Sequence, residues 1–277
     1  MGIGDEIMAT GLARGAAVRG KRIAFGDGRR LIWGPWCEQA FRYNPNIARK
    51  TDEPGVEWLD YYKGKRWYNR PGAKRWIWNF EFRATPGEFY FDEAERALSI
   101  KRPGVLIEPN VPWQKSVAPN KDWGIARYQR LADELRLGGR RVWQFSYGKL
   151  RLAGVDRIEV SSFREAAAAL AGIELAIVPE GGLHHAAAAV GTKAIVIFGG
   201  FIPPHVTGYS AHINLTGDSE ACGSWQSCRH CRAALDRISV EEVYGNAVKL
   251  CEQGAAESAG IGRIPRIRPP AENQKLP

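Results

Sequence analysis

ELAIVPEGGLHHAAAAVGTKAIVIFGG, residues 174–200, decides the fold of this chain. Leu175 to Val178 is an apolar run of the length of a buried strand. Glu180 and the pair Gly181-Gly182 follow it. Leu183 to Val190 is a small-residue helix that Gly191 ends, and Ala194 to Phe198 is a second buried run. Strand, turn, helix and strand make a βαβ unit, so the local sheet is expected to be parallel and covered on both faces. Alanines 186–189 let the helix lie close on that sheet. Glycines at the turn admit a ligand close to the backbone, and the free N–H groups of the helix start attract an anion. A plain packing helix after a tight turn has the same pattern, so this stretch alone does not establish a site.

Working outward, Phe163 to Ala171 reads as an alanine-rich helix leading into the first of these strands. Ile125 to Leu137 is amphipathic, with Ile125, Tyr128, Leu131, Ala132 and Leu135 on one face. Val105 to Glu108 and Val142 to Phe145 read as strands on either side of it. Ile213 to Leu215 and a helix from Val240 to Cys251 complete this half. Upstream, a helical stripe through Ile7, Met8, Leu12 and Ala16 runs to about Val18, with Asp5 at or near its start, where an Asp caps free N–H groups. Arg22 to Phe25, Leu31 to Trp33, Val56 to Tyr62 and Trp76 to Arg83 are strand candidates. Lys63 to Lys74 is basic and turn-rich and reads as a loop, and Glu93 to Leu98 as a helix. The pattern resets at Arg102-Pro103-Gly104. The expected division is residues 1–103, residues 104–253, and a tail at 254–277 rich in small residues, Pro and charge that reads as disordered.

At 44% hydrophobic and 25% charged residues, the composition is that of an ordinary globular protein. No apolar run reaches the roughly 20 residues of a membrane span, and no signal peptide is visible, so a cytoplasmic location is expected. The net charge of +9 favours anionic partners such as nucleotide diphosphates, acidic glycans, lipid headgroups or nucleic acid, and equally fits a basic surface with no single partner. Several of the ten tryptophans lie between Trp33 and Trp78 among Lys and Arg, a mixture that suits sugar rings, unstacked bases or a half-buried sheet. The five cysteines are odd in number and mostly clustered, unlike a secreted disulfide framework. Cys222, Cys228, His230 and Cys231 could supply zinc ligands. Only the CxxC of Cys228 and Cys231 has a metal half-site's spacing, so free buried thiols are expected and no metal is assigned. No GxGxxG or Walker pattern is present, which disfavours dinucleotide dehydrogenases and P-loop enzymes.

Four stretches in this order carry a resemblance. GIGDEIMATGLAR (2–14) is similar to the opening glycine–aspartate loop and first helix of the heptosyltransferase-like glycosyltransferases, family 9. Lys121-Asp122-Trp123 ahead of a helix ending in LADEL resembles that family's Lys-x-Trp motif. PEGGLHHAAAAVGTKAIVIFGG (179–200) resembles its Asp-Ser/Thr-Gly-x-x-His-x-Ala-Ala segment. The cysteine segment 222–231 followed by ISVEEV resembles a stretch before the last helix of many members. The patches cover about 60% of the chain.

The resemblance implies an α/β fold of two Rossmann-like domains facing across a cleft, the GT-B type. It implies inverting, metal-independent transfer of a sugar from a nucleotide-diphosphate donor, without a cofactor, to a hydroxyl of a glycan, lipid-linked or other anionic acceptor. By matching position, Asp5 would be the general base and Lys121 would contact the diphosphate. The backbone at Gly181, Gly182 and Leu183 would hold phosphate. Glu180 stands where the family has Asp, one methylene shorter, and His185 matches the family's His. The family places a strand before the glycine–aspartate loop, whereas Met1 begins inside it, so either the natural start lies upstream or the first domain lacks that strand.

The chemistry suits these residue types. A cleft carboxylate can take the acceptor proton; Lys121 and a helix start can stabilise the leaving diphosphate. The plainer roles are a helix cap for Asp5 and a solvated loop lysine for Lys121. Adjacent His184 and His185 point different ways from a helix, with one expected to be exposed and the other directed at the ligand. Two rival readings use other partners. One is a glycosyltransferase acting on a nucleobase in DNA, motivated by the basic aromatic stretch 63–78. The other is a non-catalytic nucleotide-sugar or nucleic-acid binding module. The positive charge also admits peripheral membrane contact.

Overall fold

The computed structural model describes residues 1–258. The first half comprises α1 (Ile3–Ala17), β1 (Arg22–Phe25), α2 (Cys37–Phe41), β2 (Val56–Leu59), the strands β3 (Asn69–Pro71) and β4 (Trp76–Trp78), and α3 (Glu93–Ala97). The second half runs β5 (Arg102–Ile107), α4 (Ile125–Leu137), β6 (Val142–Phe145), β7 (Asp156–Ile158), α5 (Phe163–Leu170) and β8 (Ile173–Pro179). It continues with α6 (Gly182–Val190), β9 (Lys193–Ile197), α7 (Pro204–Thr207), β10 (His212–Leu215), α8 (Arg229–Arg237) and α9 (Val240–Ser258).

Six parallel strands form one sheet in the order β10-β9-β8-β5-β6-β7. The alternation along β8 sorts its two faces. Leu175 and Ile177 join Ile195 and Ile197 of β9 against α4 and α9, where Trp123, Tyr128, Leu131 and Val243 close the core. Ala176 and Val178 face the other way, onto the alanines of α5 and α6. Small side chains on both partners let α6 lie close, as the alanine run led us to expect. Chain order reverses between β5 and β8, and in such sheets ligands bind beyond the carboxyl ends of the strands at that point. Glu180 follows β8 at this crevice.

The first half departs from the expected second Rossmann-like sheet. Among the described residues its parallel sheet has two strands, β1 and β2, paired from Arg22↔Val56 to Phe25↔Leu59. No strand precedes α1 there. Leu31 makes only an isolated bridge to Gly26. The stretch read as a loop contains β3, which forms an antiparallel hairpin with β4. The strand expected to reach Arg83 stops at Trp78, because the Asn79 carbonyl and side chain take the N–H groups of Phe82 and Glu81 in a turn.

The two halves share one core. α1 and α2 pack together, α1 lies on α6, and α2 lies on α5. Arg164 of α5 is 2% exposed and donates to both Glu95 carboxylate oxygens, at 2.6 and 2.7 Å, and to the carbonyls of Gln39 and Tyr90. At the other end α9 continues to Ser258, past residue 254 where the expected tail began; the helix-favouring Ala255-Ala256-Glu257 extends it. The rest of the expected tail, 259–277, lies outside the described residues. No helix among the described residues is long and apolar enough to cross a membrane.

Candidate active site

A cavity of about 590 Å³ opens beyond the β5 and β8 strand ends, between the two halves. Two helix N-termini converge on it. Gly4 near the start of α1 lies against Gly182 of α6: a Cβ on Gly4 would stand 3.6 Å from the Gly182 Cα and 2.7 Å from the His185 ring. Glycine is therefore required on both sides for this approach. Each helix start carries N–H groups without an intrahelical partner and a partial positive charge, so both favour an anion here.

Asp5 is in the first turn of α1, whose N-cap is Gly2. One carboxylate oxygen accepts the Gly2 N–H at 2.6 Å; the other accepts the Tyr68 hydroxyl and lies 4.0 Å from the Arg66 guanidinium. A carboxylate has about four acceptor positions, so room remains for an incoming hydroxyl. Burial, followed by the Asp5 charge, holds the Tyr68 phenol well above its ordinary pKa, so it stays a donor.

Lys121 follows a short 3₁₀ turn at Ala118–Asn120 and reaches across to Glu180, with which it makes a buried ion pair; its ammonium also sits 5.3 Å from the Phe201 ring centre. Burial alone would push the Glu180 carboxyl up. The Lys121 ammonium, helped by His184 and Lys115, outweighs burial and holds it below the ordinary carboxylate range.

Asp5, Lys121, Glu180, Gly181, Gly182, Leu183 and His185 all line this one cleft. Two details differ from expectation. The Gly181 N–H donates to His184 Nδ1 at 3.0 Å, which fixes the proton on Nε2, where it bonds the Thr207 carbonyl. That N–H is thus engaged, leaving Gly182 and Leu183 at the helix start for an anion. Neither histidine is exposed: His184 is 0% and His185 2% accessible, since α6 is covered by the sheet on one side and α1 on the other. Burial drives the His185 pKa well down, so its ring is neutral and bonds the Tyr209 hydroxyl at 2.7 Å.

Glu180, His184 and His185 bring three metal-capable atoms together. Lys121 occupies the carboxylate and hydrogen bonds use both His184 nitrogens, so this donor set is already satisfied.

Sequence reasoning missed Arg66, Tyr68 and Lys115, which face the same cleft. The signal for the first two was the basic aromatic stretch; what it lacked was their contact with Asp5. The Arg66 guanidinium carbon sits over Trp76, 4.3 Å from the ring centre, and Trp76 and Trp78 line the cleft wall. Glu6 was also missed. It is 2% exposed, and burial, then the adjacent Asp5 charge, raise its pKa to about 7.

Residues 78–235, more than half of the 277, match the profile of glycosyltransferase family 9 (heptosyltransferase). This chain belongs to glycosyltransferase family 9. The family 9 structure from Veillonella parvula is 14% identical and superposes with a TM-score of 0.59 over 91% of this chain and 95% of that one. The likeness to Escherichia coli ADP-heptose LPS heptosyltransferase II has 17% identity and a TM-score of 0.44. It covers 65% of this chain and 55% of that enzyme, so this family 9 chain spans about half of its length. TibC, an iron-containing dodecameric glycosyltransferase of enterotoxigenic E. coli, is 16% identical with a TM-score of 0.42, covering 58% of this chain and 48% of TibC. At such identities the likenesses concern the fold alone. No curated protein matches the sequence. The matched region of this family 9 chain takes in Lys121, Glu180 and α6, while Asp5 precedes it.

Proposed function

We propose that this chain is an inverting, metal-independent glycosyltransferase. It moves a sugar from a nucleotide-diphosphate donor to a hydroxyl of an anionic glycan or lipid-linked acceptor. The observation that carries this reading is the convergence of one carboxylate, Asp5, with Lys121 and two helix N-termini in a single cleft at the sheet's switch point. In the reaction Asp5 takes the acceptor's hydroxyl proton, and the freed oxygen bonds to the anomeric carbon. The bond from that carbon to the diphosphate oxygen breaks on the opposite face, which inverts the centre. The departing charge falls on Lys121 and on the N–H groups of Gly182 and Leu183, preorganised donors of the kind that lower such barriers most.

Arg66 and Lys115 bring further positive charge to the lining, and Trp76 and Trp78 supply flat apolar surface. Cations beside aromatic faces suit an acidic sugar. The family's description makes a nucleotide-activated heptose the first donor to test.

The test is titration calorimetry of the full chain with nucleoside diphosphates and nucleotide sugars, followed by turnover with acidic glycan acceptors. Diphosphate binding that Lys121→Ala weakens, together with sugar transfer, supports the reading. Binding without transfer or donor hydrolysis would leave a binding module in its place. No binding of any nucleotide would remove the assignment.

A further inference from the structure

Three of the five cysteines meet at one point outside the cleft. Cys222 Sγ lies 3.3 Å from Cys231 Sγ and 3.6 Å from Cys228 Sγ, and all three sulfurs fall within 4.8 Å of one another. Backbone N–H groups point at two of them: Ser224 donates to Cys222 at 3.5 Å and Cys231 to Cys228 at 3.4 Å. Cys228 is the N-cap of α8, where the helix dipole favours a thiolate. Cys231 is fully buried, while Cys222 and Cys228 are half-buried. A pairwise bond would use two of the sulfurs and strand the third. A tetrahedral centre with bonds of about 2.3 Å would hold its sulfurs about 3.8 Å apart, close to the spacing found. N–H groups aimed at sulfur are the outer support that thiolate ligands receive.

We propose that Cys222, Cys228 and Cys231 bind one thiolate-preferring divalent transition metal, of the zinc or ferrous-iron class. The centre is structural. Binding releases the three thiol protons to solvent and transfers no electrons. A solvent molecule fills the fourth position. His230 does not, since it lies outside the sulfur cluster and its Nε2 meets the Glu220 carbonyl at 2.7 Å.

The surroundings give the centre a purpose. The loop between Cys222 and Cys228 is where three parts of the chain are tied together. Asn120 accepts the Cys228 N–H through Oδ1 and donates through Nδ2 to the carbonyls of Ser224 and Gln226. Asn120 directly precedes Lys121. From the other side the β3–β4 hairpin grips the loop: Trp76 N–H donates to the Gly223 carbonyl at 2.8 Å and Trp225 N–H to the Lys74 carbonyl. Gly223 has φ +68°, and a Cβ there would meet the Trp76 carbonyl oxygen at 2.4 Å, so the grip is backbone to backbone. One ion thereby fixes the loop against which both Lys121 and Trp76 are set. This consequence for the cleft rests on the function proposed above, whereas the metal site itself does not.

The test is elemental analysis of the full chain, untagged and purified without chelator from cells supplied with zinc and iron. About one metal per chain is expected, with its identity separating zinc from iron. Thiol titration in denaturant should find all five cysteines reduced. Cys222→Ser and Cys231→Ser should abolish the stoichiometric metal, while Cys37→Ser and Cys251→Ser retain it. Chelation of the wild-type chain should lower its Tm. Cobalt added to the stripped chain should give thiolate-to-cobalt charge-transfer absorption, a readout that does not depend on variants folding. A metal-free wild-type chain that also takes up no cobalt would overturn the proposal. So would denatured protein with two thiols missing, which would mark a disulfide pair instead. Metal binding with no change in diphosphate affinity after chelation would overturn only the link to Lys121.

Discussion

The Lys121 ammonium and the Glu180 carboxylate form an ion pair across the floor of the cleft, with their side chains 13% and 5% exposed. A diphosphate that uses Lys121 must share it with this carboxylate. Lys121→Ala should weaken nucleoside diphosphate binding about ten- to a hundredfold, the loss of a charge-assisted contact of roughly 1.5–3 kcal/mol. Glu180→Gln should act oppositely on affinity, keeping or tightening diphosphate binding, while destabilising the fold because the lysine is left buried alone. Calorimetry and thermal melts on the two variants check both signs. An unchanged dissociation constant in Lys121→Ala would remove the lysine from the donor site.

Asp5→Asn preserves an oxygen for the Gly2 N–H but cannot take a proton. Turnover should fall by about 10² to 10⁴, the usual share of general-base catalysis, with donor affinity and Tm nearly constant. Tyr68→Phe, which deletes the hydrogen bond to Asp5 without touching the carboxylate, should lower turnover less. If Asp5 serves only to hold the first turn of α1, Asp5→Asn will turn over at close to the wild-type rate.

Glu6 makes stability depend on pH. Its folded pKa of about 7 lies above the ordinary 4.5. The folded chain thus holds a proton that the unfolded chain releases between those values, and stability falls as pH rises through that window. The total is about 3 kcal/mol at the full shift. Glu180, with a lowered folded pKa, contributes in the other direction: its share is present above the ordinary carboxylate range and is lost as pH falls through its folded pKa. Glu6→Gln should flatten the slope of Tm against pH between about 4.5 and 7. A slope identical to wild type would contradict the assignment.

Two glycine-to-alanine changes separate close packing from helix propensity. A Cβ at Gly182 would stand 2.5 Å from Ile3 Cγ2 and 3.1 Å from the Phe163 ring, so Gly182→Ala should part α1 from α6 and lower both Tm and activity. Gly15 in the body of α1 has nothing within 4 Å of its would-be Cβ, and Gly15→Ala should raise stability by roughly 0.5–1 kcal/mol. Chemical denaturation of both variants measures the contrast.

How much of this was legible in the sequence depends on where each interaction is local. β8, α6 and β9 were readable because apolar runs and an alanine helix bounded by glycines announce themselves. α4, β1 and β6 fall on the residues expected. The β3–β4 hairpin was not readable, since its register is set from outside by the Gly223 and Ser224 backbone. In the candidate site, Asp5, Lys121 and Glu180 were named through family likeness, and the structure places all three along one cleft. Tyr68 was not, because its bond to Asp5 spans 63 residues. Glu6 hid in a helical pattern that gives no hint of how deeply its first turn is covered.

The Arg164 guanidinium, locked to Glu95 and to two carbonyls of the first half, limits how this protein can work as a machine. Pulling the halves apart would break this buried ion pair and its carbonyl hydrogen bonds together. Rotation about a hinge is therefore expected to be costly. The cleft is expected to keep one width through the catalytic cycle, with exchange of substrate and product governed by side chains at its mouth. The shared core also implies that heating melts the chain in a single step, with no stage at which one half survives the other.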